Sequence, residues 1–200
     1  PPGEEGRGGA FSNHTGFYAA PRDVPVMHVS CITRRRNMIY PATVVGRPPM
    51  EDCYMAKATE RLLLPMIRLE LPEITDISLP LEGIFHGCAM IALDKRHPGH
   101  PSEVVEALWS SGWFADSRLL VVVDADMDVQ DLSLIAWKAL NIVDWRRDLM
   151  IPSADRETVP LGRLAVDATR KASDAEERNE IARGREVSVL VDNRWRKYEL

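Results

Sequence analysis

The apolar positions fall into short runs whose period changes along the chain. Residues 24–34 (VPVMHVSCITR) alternate and are rich in β-branched side chains, the pattern of a strand. Arg34-Arg35-Arg36-Asn37 reads as a polar turn, and 38–45 (MIYPATVV) as the hairpin partner. Pro41 confines that second strand to an edge or a bulge. The hairpin expected over 17–47 is marginal alone, so it belongs to a larger sheet. After Gly46-Arg47-Pro48-Pro49 the period becomes helical. MEDCYMAKATERLLLPMI, from Met50, places Met55, Leu62, Leu63 and Met66 on or near one face, and Pro65 is expected to end or kink the helix. Residues 74–79 predict a short strand and 84–93 a longer one. Ser102 is placed to cap a helix through Val104, Val105, Leu108 and Trp109, with Glu103 and Glu106 suiting its N-terminal half. Leu119 to Val123 (LLVVV) is a strand apolar on both faces, as in a parallel or mixed sheet. Asp128 or Asp131 opens a helix through Ile135, Trp137 and Leu140; 172–183 reads as a charged helix ended by Gly184, and 187–191 as a last strand. Strands and helices alternating from residue 50 onward predict an α/β layer domain.

Composition narrows the function classes. The 200 residues are 45% hydrophobic and 28% charged, enough apolar material for a packed core. A net charge of −5 argues against a dedicated nucleic-acid binder, whose footprint is basic. No apolar run approaches the roughly 18 residues of a membrane span. Cys31, Cys53 and Cys88, odd in number and widely spaced, read as reduced thiols of a cytosolic protein. The opening PPGEEGRGG resembles a loop from the interior of something longer, and with the orphan hairpin it predicts a fragment or a processed piece.

Individual motifs are weak. Asp124-x-Asp126-x-Asp128 looks like a cation loop, but Val129 and Ile135 stand where an EF-hand needs Gly and Glu; carboxylates capping the next helix are the favoured reading. His97-x-x-His100 lies in a proline- and glycine-rich loop with no third ligand nearby. Gly6-x-Gly8-Gly9 fits neither a P-loop nor a dinucleotide fingerprint. Glu82, in LPLEG, is a turn carboxylate or a substrate-facing acid. Trp109, Trp113, Trp137 and Trp145 read as core or interface aromatics.

The order of several segments is more specific than any one of them. Asn13-His14-Thr15-Gly16-Phe17-Tyr18, Gly46-Arg47-Pro48-Pro49-x-Glu51, Leu71-Pro72-Glu73-Ile74, Leu79-Pro80-Leu81-Glu82-Gly83, Val123-Asp124-Ala125-Asp126 and Val166-Asp167-Ala168-Thr169 follow one another. Over roughly residues 5–170 the chain resembles the C-terminal portion of the UbiD family of decarboxylases. The resemblance implies an α/β (α+β overall) chain: residues 1–47 as the last strands of a split β-barrel flavin-binding domain, and 50–200 as a C-terminal α/β layered domain used in oligomerisation. It implies reversible, non-oxidative decarboxylation of aromatic or α,β-unsaturated carboxylic acids with prenylated FMN. Substrates of this kind include hydroxybenzoate-like acids, quinone precursors and polyketide acids. Mn2+ (or a similar divalent ion), K+, most flavin contacts and a catalytic arginine would come from an N-terminal half, so the 200-residue chain alone is expected to be inactive. The implied partners are that half and a homo-oligomer, with no nucleic acid and no membrane, in the cytoplasm. The alternative of another class is an inert fragment or subunit whose role is assembly.

Residue by residue, the resemblance implies an acidic pair before the His-Thr-Gly segment, the second acid donating a proton. Here Asn13 stands at that position, and Asn is no general acid at ordinary pH. Glu5 matches the first acid, with a longer spacing. Either Glu5 or Glu4 is the protein acid, or Asn13 positions a water, or activity is altered or weak. Arg163 falls where the family has a lysine on the cofactor phosphate, the alternative being a surface arginine. Asp52 and Ala56 match positions lining the substrate pocket, Ala56 leaving room for a bulky acid.

Overall fold

The computed structural model describes residues 3–152, 162–171 and 184–197. The chain divides into two units, residues 1–169 and 170–200. In the first, β1 (Glu5–Arg7) pairs antiparallel with β2 (Asp23–Pro25) as a small ribbon. The helix α1 (Glu51–Glu70) leads into β3 (Ile74–Ser78), a short 3-10 turn (Leu81–Gly83) and β4 (Cys88–Leu93). Then come α2 (His100–Ser110), β5 (Leu119–Asp124), α3 (Leu132–Ile142), β6 (Leu149–Met150) and β7 (Leu164–Asp167). The second unit contains α4 (Arg185–Arg194).

The five-stranded sheet has the order β3-β4-β5-β7-β6. β4, β5 and β7 run parallel, and the edge strands β3 and β6 are antiparallel to their neighbours. Side chains alternate between two cores, as the pleat requires. Ala89, Ile91, Leu93, Leu120, Val122 and Ala165 meet Ile67 of α1 and Val104, Val105 and Leu108 of α2. Cys88, Met90, Ala92, Val121, Val123 and Val166 meet Ile135 of α3 on the other face. Each fully buried Val, Leu or Ile stabilises by about 1.5–3 kcal/mol. The α/β layers and the two-faced burial of LLVVV follow the sequence pattern. No helix among the described residues is long and apolar enough to cross a membrane.

Five expectations are corrected. The hairpin over 17–47 does not form: pairing stops at Pro25, and Met27, Ile32, Ile39, Tyr40 and Val44 are exposed. Alternation makes a strand only where a neighbour takes up its backbone groups, and none does so among the described residues. Pro65 does not end α1, which runs through it. The carbonyl that Pro65 deprives of its donor is that of exposed Arg61, where water can serve it. The buried face of α1 is Asp52, Cys53, Ala56, Glu60 and Ile67, whereas Met55, Leu62 and Met66 are exposed. The strand at 84–93 begins only at Cys88, because Ile84 and Phe85 are left-handed at φ 50° and 47°. Residues 187–191 lie in a helix: without a neighbouring strand, a helix satisfies its own backbone. In addition, α2 starts at His100 with Gly99 as N-cap, so Ser102 is within the helix. The helix expected at 172–183 lies outside the described residues.

Candidate active site

The loop carrying Asn13 is closed by that residue's own side chain. Asn13 Oδ1 accepts from the backbone N–H of Thr15 (2.9 Å) and from its hydroxyl. The Gly16 N–H returns to the Asn13 carbonyl (3.0 Å), and a bridge between Ser12 and Tyr18 shuts the base. This is an Asx turn, which Asn and Asp both build. Gly16 is required by its φ of +80° and by the backbone of Arg47, 3.0 Å from where a Cβ would stand. Glu5 lies exposed in β1 opposite Pro25, while its neighbour Glu4 holds His28 at 2.9 Å.

The turn after β3 meets this loop. Gly83 has no alternative, since a Cβ there would stand 2.4 Å from Cys88 Cβ. The left-handed pair Ile84–Phe85 then turns the chain, and His86 Nδ1–H donates to the Ile84 carbonyl at 2.6 Å. The Phe85 ring stacks on both histidines, at 5.3 Å from His14 and 5.3 Å from His86. The two histidines face each other Nε2 to Nε2 at 3.3 Å. Loop and turn enclose a cavity of about 530 Å³ lined by Thr15, Phe17, Ile84, His86, Asp116 and Arg118, among others.

Arg118 is held by the sheet. Its N–H donates to the Gly87 carbonyl (3.0 Å), and its carbonyl accepts from Leu164 (2.8 Å). Gly87, Arg118 and Arg163 therefore stand in a row before the parallel strands. From His86 the contacts continue sideways. Ser117 Oγ donates to the His86 carbonyl (2.8 Å), and Trp109 Nε1 donates to the Ser117 carbonyl (3.1 Å). The Arg163 guanidinium lies 5.7 Å over the Trp109 ring, in a separate cleft of about 590 Å³ shared with Ser102, Glu106 and Ser110. The arginine and the Ser102 hydroxyl suit a phosphate, although Glu106 shares the cleft. Among the described residues no three His, Cys, Asp or Glu side chains form a metal-binding group.

Asp52 and Ala56 are one turn apart on the buried face of α1, 7% and 4% exposed. Asp52 lies in the helix's first turn, where the dipole favours a carboxylate. Next along that face is Glu60, 1% exposed. Its carboxylate accepts from Lys57 Nζ (2.9 Å), Leu79 N–H (2.6 Å), Gln130 Nε2 (3.0 Å) and Arg61 (2.7 Å). The structure thus gives Asn13 a turn-forming role, sets Arg163 in its own cleft, and buries Asp52 with Ala56.

The remaining motifs resolve as structural. Asp128 Oδ1 accepts from Gln130 N–H, and Asp131 caps α3 through Leu134 N–H (3.0 Å). His100 is buried, with Nδ1 accepting from Arg96 N–H and Nε2 3.4 Å from Glu73. Glu82 is exposed in its turn, and its charge, after burial, helps push the Cys88 thiol up to about 11. Trp109 is core, whereas Trp137 and Trp145 are half-exposed. Sequence reasoning missed His86 and Arg118. The glycines at 83 and 87 were the available signal, since they punctuate what otherwise reads as one strand. Arg118 carries no motif and is identified only by its place before β5.

Comparison with known proteins gives this geometry a family. The profile of the 3-octaprenyl-4-hydroxybenzoate carboxy-lyase C-terminal domain matches residues 53–163, and that of the same enzyme's Rift-related domain matches residues 1–48. The chain belongs to the UbiD family. An uncharacterized protein of Archaeoglobus fulgidus is 42% identical over 175 residues, covering 83% of this chain and 36% of its own length. One from Aquifex aeolicus is 38% identical over 199 residues, covering 94% of this chain and 41% of its own. This UbiD-family chain thus spans about two fifths of the length of these relatives. In fold it resembles the vanillic acid decarboxylase of Sedimentibacter hydroxybenzoicus in closed form (TM-score 0.80, 21% identity, 100% of this chain and 44% of that one). It also resembles the UbiD-class enzyme HmfF from Pelotomaculum thermopropionicum in complex with FMN (TM-score 0.72, 22% identity, 96% of this chain and 44% of that one).

Proposed function

We infer that this chain is the C-terminal part of a carboxy-lyase that decarboxylates an aromatic or α,β-unsaturated acid with prenylated FMN. The observation that carries the reading is the cavity between the Asn13–Tyr18 loop and the turn at Gly83–Gly87, with an arginine in its lining. It lies where segments matching the two family domains meet. In this reading residues 1–47 complete a split-barrel domain. The exposed apolar side chains of 27–45 would be covered by strands from an N-terminal half, which would also bring the Mn2+ and K+ ligands.

Bound prenylated FMN would supply the electron sink for the departing carboxylate's bonding pair. The chain's own residues have narrower tasks. Arg118 offers a guanidinium to the substrate carboxylate, a bidentate match. Arg163, with Ser102, holds the cofactor phosphate from the second cleft. Neither Ala56 nor Asp52 lines the cavity at Arg118; in this reading Ala56 would leave space for the acid's ring, and Asp52 would bound that space, only in a pocket completed by the N-terminal half. Asn13 has its Oδ1 engaged in the turn, which leaves its NH2 to orient a water. The proton for the carbon losing CO2 then comes through that water, with Glu5 as the acid.

The test is CO2 release from a panel of benzoic, furoic and cinnamic acids by the full-length protein loaded with prenylated flavin. Turnover is expected, with Arg118→Ala raising KM at least ~10-fold through loss of a charge-assisted pair. No turnover by a flavin-loaded protein on any acid would overturn the reading. A second reading, an assembly subunit without activity, is favoured by the exposed apolar side chains Met55, Leu62 and Leu69 along α1. It predicts self-association with no flavin uptake.

A further inference from the structure

We propose that the hydrogen bond between His14 and His86 is an acid-sensitive latch joining the Asn13–Tyr18 loop to the turn before β4. The two Nε2 atoms stand 3.3 Å apart, at the long end for a hydrogen bond and correspondingly weak. No other hydrogen bond or ion pair among the described residues joins that loop to the Gly83–Gly87 turn. Around it are ring contacts: Phe85 stacks on His14 and on His86, at 5.3 Å from each. The other three histidines, His28, His97 and His100, are each directed at a carboxylate. The polar hold of the loop on the turn therefore rests on one pair of titratable rings.

The bond has one direction. The Ile84 carbonyl only accepts, so His86 carries its proton on Nδ1, 2.6 Å away. Neutral His86 then offers the Nε2 lone pair, and His14 donates from Nε2–H. Protonation therefore acts in two stages. The first proton enters at His14 Nδ1, and the Nε2–H donor stays in place, so the latch remains shut. The second enters at His86 Nε2, the atom that accepts. Two N–H groups then face each other across the same gap, each on a cationic ring, and attraction becomes repulsion. The closed pair thus holds one added proton and the separated rings hold two, so acid drives the equilibrium toward the open state. Histidine is the side chain that ordinarily changes charge at mildly acidic pH.

The surroundings do not neutralise the second charge. Arg118 and Asp116 line the cavity beside His86, and Arg47 backs the loop at Gly16. Glu82 lies in the 3-10 turn ahead of the pair, and the Cys88 thiol follows it. Neither Asp116 nor Glu82 bonds to either ring among the described residues, and the Arg118 charge opposes a further cation in the same cavity. His86 is exposed and His14 half-buried, so protons reach the pair without unfolding. Ile84 and Phe85, at φ 50° and 47°, hold a left-handed conformation that costs the closed turn free energy. Loop and turn are two walls of the cavity of about 530 Å³, so opening the latch widens access to it. The inference rests on these walls and not on the carboxy-lyase reading.

The test is hydrogen exchange by mass spectrometry on the full-length protein between about pH 7.5 and 5, corrected for the intrinsic pH dependence of exchange and with no substrate present. Peptides covering residues 13–18 should exchange at least ~10-fold faster at the acid end, while those covering β4 and β5 stay protected. His14→Phe keeps a ring against Phe85 but has no donor. Its loop should exchange ~2–10-fold faster than the parent's at neutral pH, the factor one neutral hydrogen bond is worth, with no further rise in acid. His14→Gln keeps an amide donor that does not titrate; it should match the parent at neutral pH and lack the acid response, and it serves if His14→Phe folds poorly. Nitrogen-15 spectra of labelled histidine should show His86 protonated on Nδ1 at neutral pH. An acid-independent loop in the parent, an acid response unchanged in the variants, His86 protonated on Nε2, or loss of protection that extends through β4 and β5 would each overturn the proposal. The carboxy-lyase reading is tested by turnover and stands or falls separately.

Discussion

Replacing Glu60 tests whether the contacts around α1 hold the site in place. Its carboxylate is buried and takes four donors from α1, the end of β3 and the loop before α3. Glu60→Ala leaves those donors unmatched, but they differ in consequence. Lys57 and Arg61 side chains are 38% and 46% exposed, so both can turn to water at a cost of about 0–1 kcal/mol each. The Leu79 N–H is enclosed, and an unsatisfied buried donor costs about 1–3 kcal/mol. Gln130 is exposed and its amide keeps the Ile77 carbonyl as a partner, so its loss adds little. With the cavity left by the truncated side chain, the expected loss is about 2–4 kcal/mol. Glu60→Gln keeps the volume and one acceptor oxygen but turns an NH2 toward existing donors, so about 2–3 kcal/mol is expected. Urea denaturation followed by tryptophan fluorescence reads this directly. With a slope of about 2–3 kcal/mol/M, the midpoint should fall by about 1–2 M for Glu60→Ala and by less for Glu60→Gln. A loss below about 1 kcal/mol for Glu60→Ala, or Gln costing more than Ala, would refute the reasoning.

Three further outcomes follow from other contacts. The Cys88 thiol is raised from 9.0 to about 11 in the folded protein, so the unfolded chain releases that proton first as pH rises. Stability is therefore full below pH 9 and falls between pH 9 and 11, by up to about 3 kcal/mol; denaturation curves across that range should lose this slope in Cys88→Ala. Asp131→Ala removes the cap of α3 and should lower the denaturation midpoint by an amount worth about 1 kcal/mol. Asn13→Asp keeps an acceptor for the Thr15 N–H while restoring an acid at that position. It should raise turnover of the full-length enzyme with little change in stability, and a Tm drop without added turnover would count against the role given to Asn13.

What was legible in the sequence was whatever a local pattern determines by itself. LLVVV is apolar on both faces because β5 lies between β4 and β7 with a core on each side. Asp131 announces α3 because capping is a contact within one turn. The failures share another origin. Residues 24–45 and 187–191 have β-like sequences, but a strand depends on a neighbour that the sequence does not display. On α1, hydrophobicity pointed to Met55, Leu62 and Met66, yet the buried face carries Asp52 and Glu60. Glu60 is buried because donors from β3 and the distant Gln130 surround it, a fact of tertiary structure. Family order pointed to Asn13 and Arg163, which the structure sets in the loop turn and in a separate cleft, while His86 and Arg118 come to the cavity only through the turn and through strand register.

The most direct test of the central claim is isotopic and does not require net turnover. The full-length, flavin-loaded protein is incubated in D2O with the decarboxylated product of each acid in the panel, with CO2 supplied. A carboxy-lyase exchanges the hydrogen at the carbon that bears the carboxylate, and the account predicts deuterium there for at least one product, reduced at least ~10-fold in Arg118→Ala. Flavin bound, with no deuterium in any product, would contradict it.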